Sequence, residues 1–480
     1  GLVGFASGNS YLIFFLLFFM FMQSTFFSPA KYGILPEMLP DTHLSWGNGI
    51  VNGTTYAAII AGQAVAGALY EQVRLGRIGL DHVSALLIAL SGIGLICSLG
   101  ITRVSAANPT QGIPLNPWSG LGRYFKLFYA DRVLRLTYLG GAYFWFAGAV
   151  VQVNVMNHGL TLLEAGEFWS AVLMVGVLLG IALGSLAAGW LSRDKIELGL
   201  IPLGLAGMTG CGFLLGVPGF SYWPVCLLAF LLGFFGGFFI VPVMATVQSR
   251  PPDEVKGSMV ATFNIGTSVG ILLGGGFALL AGMIQLTTLH VFLAMALMTL
   301  GVGIYLCLAL PTFVIRSVLW FFANTLYRVK TLGRENVPEK TGALLVGNHT
   351  SYIDALFLTA SIDRPIRFLI SSEIFDRWPI RPLGRAMRAI PVSPMDSPKD
   401  LVRSLKAASE AVQSGELVCI FAEGQITRTG QMLPFHKGFE HVMEGLDAPI
   451  IPVHLDRLWG SVFSYSEGRF FWKWPQQIPY

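Results

Sequence analysis

Val346-Gly-Asn-His-Thr-Ser-Tyr-Ile-Asp354 sets His349 and Asp354 five residues apart, directly after the apolar run Ala343-Leu-Leu-Val346. A neutral imidazole can take a proton from a hydroxyl near pH 7, because its reference pKa is about 6.5, and a carboxylate on the other ring nitrogen fixes its tautomer and orientation. With 8 His in 480 residues such a spacing can also arise by chance, so the surrounding sequence has to carry the reading. The pair is either a base with its orienter or an incidental feature of a chain that does something else.

Working outward from it, the composition changes sharply. Hydrophobic residues make up 54% and charged residues 12% of the whole chain, against roughly 45–50% and about 25% in soluble domains. The mean hydropathy of +0.63 belongs to a bilayer protein. The excess lies in residues 1–310, which hold long apolar blocks, whereas 329–480 has the mixed charge of a globular domain. Two domains of different solvent preference follow, joined by 311–328. A net charge of +4 gives no reason to expect nucleic acid. Cys97, Cys211, Cys226, Cys307 and Cys419 show neither paired nor metal-like spacing.

Apolar blocks of spanning length, about 20 residues, occur near 10–29, 46–70, 80–101, 136–157, 166–190, 198–217, 222–247, 258–284 and 287–310. These nine predicted spans fall as three, a polar interval at 102–135, then six. Arg103, Arg123, Lys126, Arg132 and Arg135 mark that interval as a cytoplasmic loop. Alternation then puts Lys31, Arg193, Lys195, Arg250, Lys256 and the exit at Arg316 inside. The outer loops near 71–79, 157–165, 217–221 and 284–288 carry no Lys or Arg except Arg74 and Arg77. The globular part is therefore expected in the cytoplasm. Gly180, Gly184, Gly189, Gly233, Gly236 and Gly237 are read as close helix packing. The stretch Val314–Leu326, with Trp320, Phe321 and Phe322 between Arg316 and Arg328, reads either as an amphipathic interfacial segment or as a continuation of the last span.

From Tyr327 short apolar runs alternate with helical stretches. Strands are predicted at 343–346, 366–370, 390–392, 417–421 and 449–454, and helices at 353–360 and 401–413, which is an α/β domain with sites at strand ends. The strand 417–421 ends in Ala422-Glu-Gly-Gln-Ile-Thr-Arg428, bringing an acid, a glycine and a cation to such a place.

The order Asn-His-x4-Asp, Ile390-Pro-Val, Phe-x-Glu-Gly, Ile451-Pro-Val resembles that of the glycerolipid acyltransferases, relatives of 1-acylglycerol-3-phosphate acyltransferase. The three-plus-six helices with a basic central loop resemble the major facilitator superfamily, with three helices of the first half missing. Ser28-Pro-Ala-Lys-Tyr-Gly-Ile-Leu-Pro-Glu37 and Gly236-Gly-Phe-Phe-Ile-Val-Pro-Val243 look like its bacterial lysophospholipid transporters. Lys31 and Glu37 there are read either as loop solvation or as a gating contact with the opposite half. The whole resembles bacterial fusions of 2-acylglycerophosphoethanolamine acyltransferase with an acyl-acyl carrier protein synthetase, without the synthetase part.

The expected architecture is a multi-domain chain: an all-α polytopic, major facilitator-like bundle at 1–310, an interfacial linker at 311–328 and an α/β acyltransferase domain at 329–480. The resemblance implies that His349 is the base and Asp354 its orienter. It implies that Glu423 and Gly424 contact the glycerol and its phosphate, and that Arg388 and Arg428 bind phosphate. Ala422 stands where the family usually has Pro, and Gln425-Ile426 separates Glu-Gly from Thr427-Arg428. No metal or other cofactor is implied. The partners implied are a lysophospholipid and membrane lipid, acyl-acyl carrier protein or acyl-CoA as co-substrate, and a separate acyl-activating synthetase. That last expectation rests on the want of a Gly-rich nucleotide loop up to Tyr480. The chain also reads as beginning inside a longer protein, since Gly1 is not preceded by Met. The implied place is the bacterial inner membrane, with lysolipids brought inward and re-esterified. The rival readings are a transporter or scaffold with a non-catalytic globular part, and an acyltransferase acting on lysophosphatidic acid.

Overall fold

The computed structural model describes residues 10–104, 120–192, 196–309, 315, 319, 329–338, 341–362, 364–378, 380–392, 398–461 and 463–466. Two compact units are present, Gly1–Leu306 and Cys307–Tyr480. The expected interfacial segment 311–328 lies outside the described residues except for 315 and 319.

The first unit is helical: α1 (Ser10–Gly33), α2 (Leu44–Arg74), α3 (Leu80–Leu99), α4 (Leu121–Ala130), α5 (Arg132–Thr161), α6 (Gly166–Ser192), α7 (Leu200–Leu215), α8 (Tyr222–Ser249), α9 (Lys256–Met283) and α10 (Thr288–Ala309). Seven stretches are long and apolar enough to cross a bilayer: Tyr11–Met38, Leu80–Leu99, Arg132–Thr161, Gly166–Ser192, Tyr222–Ser249, Asp253–Met283 and Thr288–Ala309. The other two expected spans are helical as well. However, α2 carries Asn48, Asn52, Gln63, Glu71 and Gln72 along its length, and α7 has only 16 residues. Among the described residues, seven of the nine expected spans meet both length and hydropathy for crossing a bilayer. The loop expected at 102–135 contains α4, whose Phe128 is fully buried. Asp131 then caps α5, its carboxylate accepting from the amides of Val133 at 2.7 Å and Leu134 at 3.0 Å.

The core of this unit is α8, packed on α6, α7, α5 and α2. Its approach to α6 is set by reciprocal glycines. A Cβ on Gly180 or Gly184 of α6 would strike the main chain of Phe230 or Phe234 on α8, and one on Gly233 or Gly237 would strike Val177 or Gly184 on α6. Between apolar helices in lipid there is no hydrophobic drive to associate, so contact this close supplies the dispersion energy that holds the pair. By contrast, α1 and α3 bury 0% and 6% of their apolar windows, leaving side chains such as Phe14, Phe18, Ile88 and Leu95 for hydrocarbon to cover.

The second unit is built on five parallel strands, β1 (Ala343–Gly347), β2 (Ile366–Ser371), β3 (Ile390–Val392), β4 (Leu417–Phe421) and β5 (Ile450–Val453), in the spatial order β3-β2-β4-β1-β5. Strand alternation sends Leu344, Val346 and Val418 to one face, where α14 (Pro398–Gln413) supplies Ala408, Ala411 and Val412 and α15 (Gly438–Met443) supplies Val442. Ala343, Leu345, Leu417 and Cys419 go to the other, against Leu358 of α11 (Asp354–Ser361). Two segments not foreseen as helical, α12 (Ser372–Phe375) and α13 (Ile380–Ala386), carry the chain from β2 to β3.

The strand order decides where chemistry can sit. After β1 the chain leaves over one face towards β2, and after β4 it leaves over the other face towards β5. Neighbouring strands whose connections part in opposite directions open a crevice at their C-terminal ends. In this unit that place is the end of β1 and β4, where Gly347 lies opposite Phe421.

Replacing Gly184 by Val should push α6 from α8 at a destabilisation of about 1–3 kcal/mol, as overpacking does. Thermal denaturation of the detergent-solubilised chain checks this, and an unchanged midpoint would contradict the close approach.

Candidate active site

β1 is apolar through Val346 and fully buried, so the first polar side chains that follow it emerge at the sheet's C-terminal edge. Asn348 pins that edge to the segment after β5: its Nδ2 donates to the Leu455 carbonyl at 3.0 Å and its Oδ1 accepts from the Leu455 amide at 2.7 Å. His349 comes next, with its main chain held on both sides by the loop after β4. Its amide donates to Glu423 Oε1 at 2.8 Å, and its carbonyl accepts from the Thr427 amide at 3.0 Å.

The His349 ring lies flat on Phe421, with centroids 4.3 Å apart and planes within 11°. Phe421 in turn stacks on Phe368 of β2. Gly347 makes room for this, because a Cβ there would stand 3.3 Å from the Phe421 ring. Nδ1 of His349 is 2.9 Å from Asp354 Oδ2. Asp354 opens α11 with no exposed surface, and it also accepts from the amides of Thr350 at 2.6 Å and Ser351 at 2.9 Å and from the Ser351 hydroxyl at 2.6 Å. Asp354 is thus an acceptor throughout, which makes Nδ1 the protonated nitrogen and leaves Nε2 as the basic one. No hydrogen bond engages Nε2 among the described residues, and the side chain is 20% exposed. The arrangement is a base held in one tautomer and one orientation, with an apolar ring covering one of its faces.

Glu423 has a different place from the one expected of it. It is buried, and its second oxygen accepts from the Leu433 amide at 2.8 Å. Each carboxylate oxygen accepts from a main-chain amide, so the side chain ties the loop after β4 to His349. Gly424 adopts φ +69°, a region that favours glycine, and the His436 ring lies 3.0 Å from where a Cβ would be. His436 thereby contributes to the loop's packing; its amide also donates to the Ala422 carbonyl at 2.8 Å.

Arg428 is brought to the site's edge. Its guanidinium lies 5.6 Å from the ring of Tyr465, whose hydroxyl is 2.7 Å from that of Tyr352, three residues past His349. Burial and the Tyr465 hydrogen bond push the Tyr352 phenol up, while Arg377 and Arg428 pull it back. Sequence reasoning passed over Arg377, Tyr352 and Tyr465, and no motif marks them.

Arg388 is not brought to the site, which corrects the expectation of a phosphate ligand there. It precedes β3 in the left-handed region, φ 55°, and its Nη1 is 2.5 Å from Glu416 Oε1, at the N-terminal end of β4. Arg367 Nη1 meets the other Glu416 oxygen at 2.8 Å and its Nε donates to the Arg388 carbonyl at 2.9 Å. In a parallel sheet the N-terminal ends face away from the site, so this guanidinium serves the opposite edge. Among the described residues no group of three His, Cys, Asp or Glu is placed to hold a metal ion.

In the helical unit one group of buried polar side chains lies where α2 meets α8. Asn48 Nδ2 donates to Gln248 Oε1 at 2.5 Å, Gln248 Nε2 donates to the Tyr32 carbonyl at 2.9 Å, and the Tyr32 hydroxyl donates to Asn52 at 2.7 Å. Lys31 reaches Thr55 at 3.2 Å, and Glu37 is exposed. Among the described residues a charged contact between the first three helices and the rest is that of Lys256 with Asp41 at 3.3 Å; within the later helices Arg250 meets Asp131 at 2.7 Å.

Residues 1–275 match the Major Facilitator Superfamily, and residues 328–456 match the Acyltransferase family. Among curated proteins, the lysophospholipid transporter LplT of Klebsiella pneumoniae is 31% identical over 270 residues, covering 53% of this chain and 63% of the relative. LplT of Pectobacterium carotovorum is 31% identical over 265 residues, covering 52% and 60%. The chain thus spans less than two thirds of the length of these relatives.

Replacing Glu423 by Ala should leave the amides of His349 and Leu433 without their acceptor, at about 1–3 kcal/mol for each buried donor. Limited proteolysis within 424–437 is expected to quicken, and an unchanged cleavage rate would count against this role. Burial pushes the Cys419 thiol far up, so thiol reagents should modify it only after unfolding, as mass spectrometry of the labelled protein would read.

Proposed function

Because the chain belongs to the major facilitator superfamily and carries a C-terminal acyltransferase domain, we propose that it moves an acyl group from a thioester to the free hydroxyl of a lysophospholipid. The observation that carries this reading is the 2.9 Å contact of His349 Nδ1 with the buried Asp354 at the crevice between β1 and β4.

The step follows from that geometry. The acceptor hydroxyl gives its proton to His349 Nε2 while its oxygen attacks the thioester carbonyl. Asp354 steadies the imidazolium through Nδ1–H. As the tetrahedral adduct collapses, the carbon–sulfur bond breaks and the departing thiolate takes the proton back. The new ester and a free thiol leave, and the enzyme is unchanged. A hydroxyl is a weak nucleophile at pH 7, so the base is worth about 10²–10⁴ in rate. Arg428, exposed beside Tyr465, is the cation suited to the acceptor's phosphate. Glu423 and Gly424 act as positioning residues for His349.

The reading extends to the helical unit, where resemblance to lysophospholipid transporters and a buried ladder of Asn48, Gln248, Tyr32 and Asn52 support delivery of the lysolipid across the bilayer. Buried polar groups are expensive in a membrane and tend to serve a substrate path. With the basic loops facing inward the acyltransferase domain works in the cytoplasm, at a bacterial inner membrane, on acyl-acyl carrier protein or acyl-CoA made by a separate synthetase.

His349→Ala should lower acyl transfer by about 10²–10⁴, followed as thiol release with lysophosphatidylethanolamine as acceptor. Turnover equal to the parent's would sink the enzymatic reading. Running lysophosphatidic acid beside it, with each thioester in turn, assigns acceptor and donor. Arg388→Ala should leave KM for the acceptor unchanged, whereas Arg428→Ala should raise it.

A further inference from the structure

Around the crevice that holds His349, two loops present apolar side chains to solvent. The loop after β2 carries Trp378, 86% exposed, and the loop after β4 carries Met432 and Phe435, 59% and 44% exposed. Both loops leave the C-terminal ends of their strands, so both rise on the side of the sheet where His349 stands. Trp378 keeps most of its surface in water, and large exposed apolar groups on one edge of a domain mark a contact surface.

The charges beside them are mostly cationic. Residues 372–386 hold Arg377, Arg381 and Arg385 against Glu373 and Asp376, and residues 424–437 add Arg428 and Lys437 with no carboxylate. Asp376 stands 3.8 Å from Arg381, a loose pair that leaves the guanidinium half exposed. An indole with arginines one and three residues away is the pattern of side chains that settle at a bilayer interface, ring in the headgroup layer and charge at the phosphates. Each cation near an anionic leaflet adds to the attraction.

We propose that this rim, with Trp378 as its deepest point and Met432 and Phe435 beside it, docks on the anionic surface of a phospholipid bilayer and presents the His349 crevice to lipid. The choice of a leaflet over an acidic protein rests on continuity of the chain. Only 19 residues separate Ala309, the last described residue of α10, from Val329, so a membrane surface is present at high effective concentration whatever proteins are available. The proposal deepens the reading of the site as one that acts on a lipid acceptor, but its test does not depend on turnover.

Two forms of the full chain, with Cys97, Cys211, Cys226 and Cys307 replaced by Ser and the buried Cys419 kept, are labelled at one introduced cysteine with an environment-sensitive fluorophore. One carries Trp378→Cys. The other carries Gln413→Cys, at the exposed end of α14 on the opposite edge of the sheet. They are reconstituted in phosphatidylcholine vesicles with or without phosphatidylglycerol and a shallow lipid-borne quencher. Emission at 378 should be blue-shifted and quenched several-fold more than at 413, the more so with phosphatidylglycerol, and Arg381→Glu should remove that dependence on charge. His349→Ala should quench like its parent, so failure of catalysis and failure of docking are read apart. Equal quenching at 378 and 413 would overturn the proposal. So would shielding of position 378 that appears only when an acidic acyl carrier protein is added.

Discussion

Asp354 has no exposed surface and accepts hydrogen bonds from the His349 ring, the amides of Thr350 and Ser351 and the Ser351 hydroxyl. A carboxylate withdrawn from water is tolerated only if its lone pairs are used, so the chain between β1 and α11 has to wrap round it in this one way. That wrapping fixes the imidazole's rotation and tautomer before any substrate arrives. Glu423 does for the main chain what Asp354 does for the ring, since its two oxygens join the His349 amide to that of Leu433. The two carboxylates divide the work: one orients the base, and the other locks the loop on which the base is seated.

The helical unit obeys a different constraint. In hydrocarbon every polar group has to be satisfied within the protein, and helices attract one another only as far as they can approach. The paired glycines of α6 and α8 allow that approach, and the amides of Asn48 and Gln248 satisfy each other across α2 and α8. Charges appear where the helices end: Arg250 with Asp131, which also caps α5, and Lys256 with Asp41. At that end burial works to raise the Asp131 carboxyl, but the Arg250 hydrogen bond, two amides and the Arg250 charge outweigh it and hold it below the usual carboxylate range. The tie is therefore complete above the ordinary carboxylate pKa and is lost as the pH falls through the lowered one.

What could be read from the sequence was whatever has a short period or a short span. Apolar runs bounded by turn residues located the five strands, most clearly β1 and β4 at the centre, because a strand buried on both faces has little room for polar residues. His349 and Asp354 were legible since five residues bring them to one loop. The role of Glu423 was not. Its partners at 349 and 433 are main-chain amides, and amides carry no mark in the sequence. Arg388 was misplaced for a related reason. Its phosphate role came from the resemblance alone, whereas a parallel sheet puts the two ends of a strand on opposite edges, and this arginine precedes its strand. In the bundle, hydropathy located helices but could not separate a short apolar one such as α7 from a full span.

A thioester acyl donor and a lysolipid acceptor belong to different phases, and an enzyme joining them has to meet both at one nitrogen. The His349 ring is suited to this by having unlike sides. One face rests on Phe421, itself on Phe368, which keeps water from that side; Nδ1 is closed off by Asp354; the remaining approach is at the ends of β1 and β4. Had the base sat mid-sheet, the acceptor would have had to leave the bilayer entirely, with loss of the hydrocarbon's favourable burial at about 0.8 kcal/mol for each methylene. At the strand ends, beside exposed Trp378, Met432 and Phe435, the proposed docking would let the acceptor's hydroxyl alone rise to the base while its acyl chain stays in lipid. The sheet's polarity turns His349 and Asp354 to the same edge as these exposed apolar side chains, which is the arrangement the proposed reaction at a lipid surface requires.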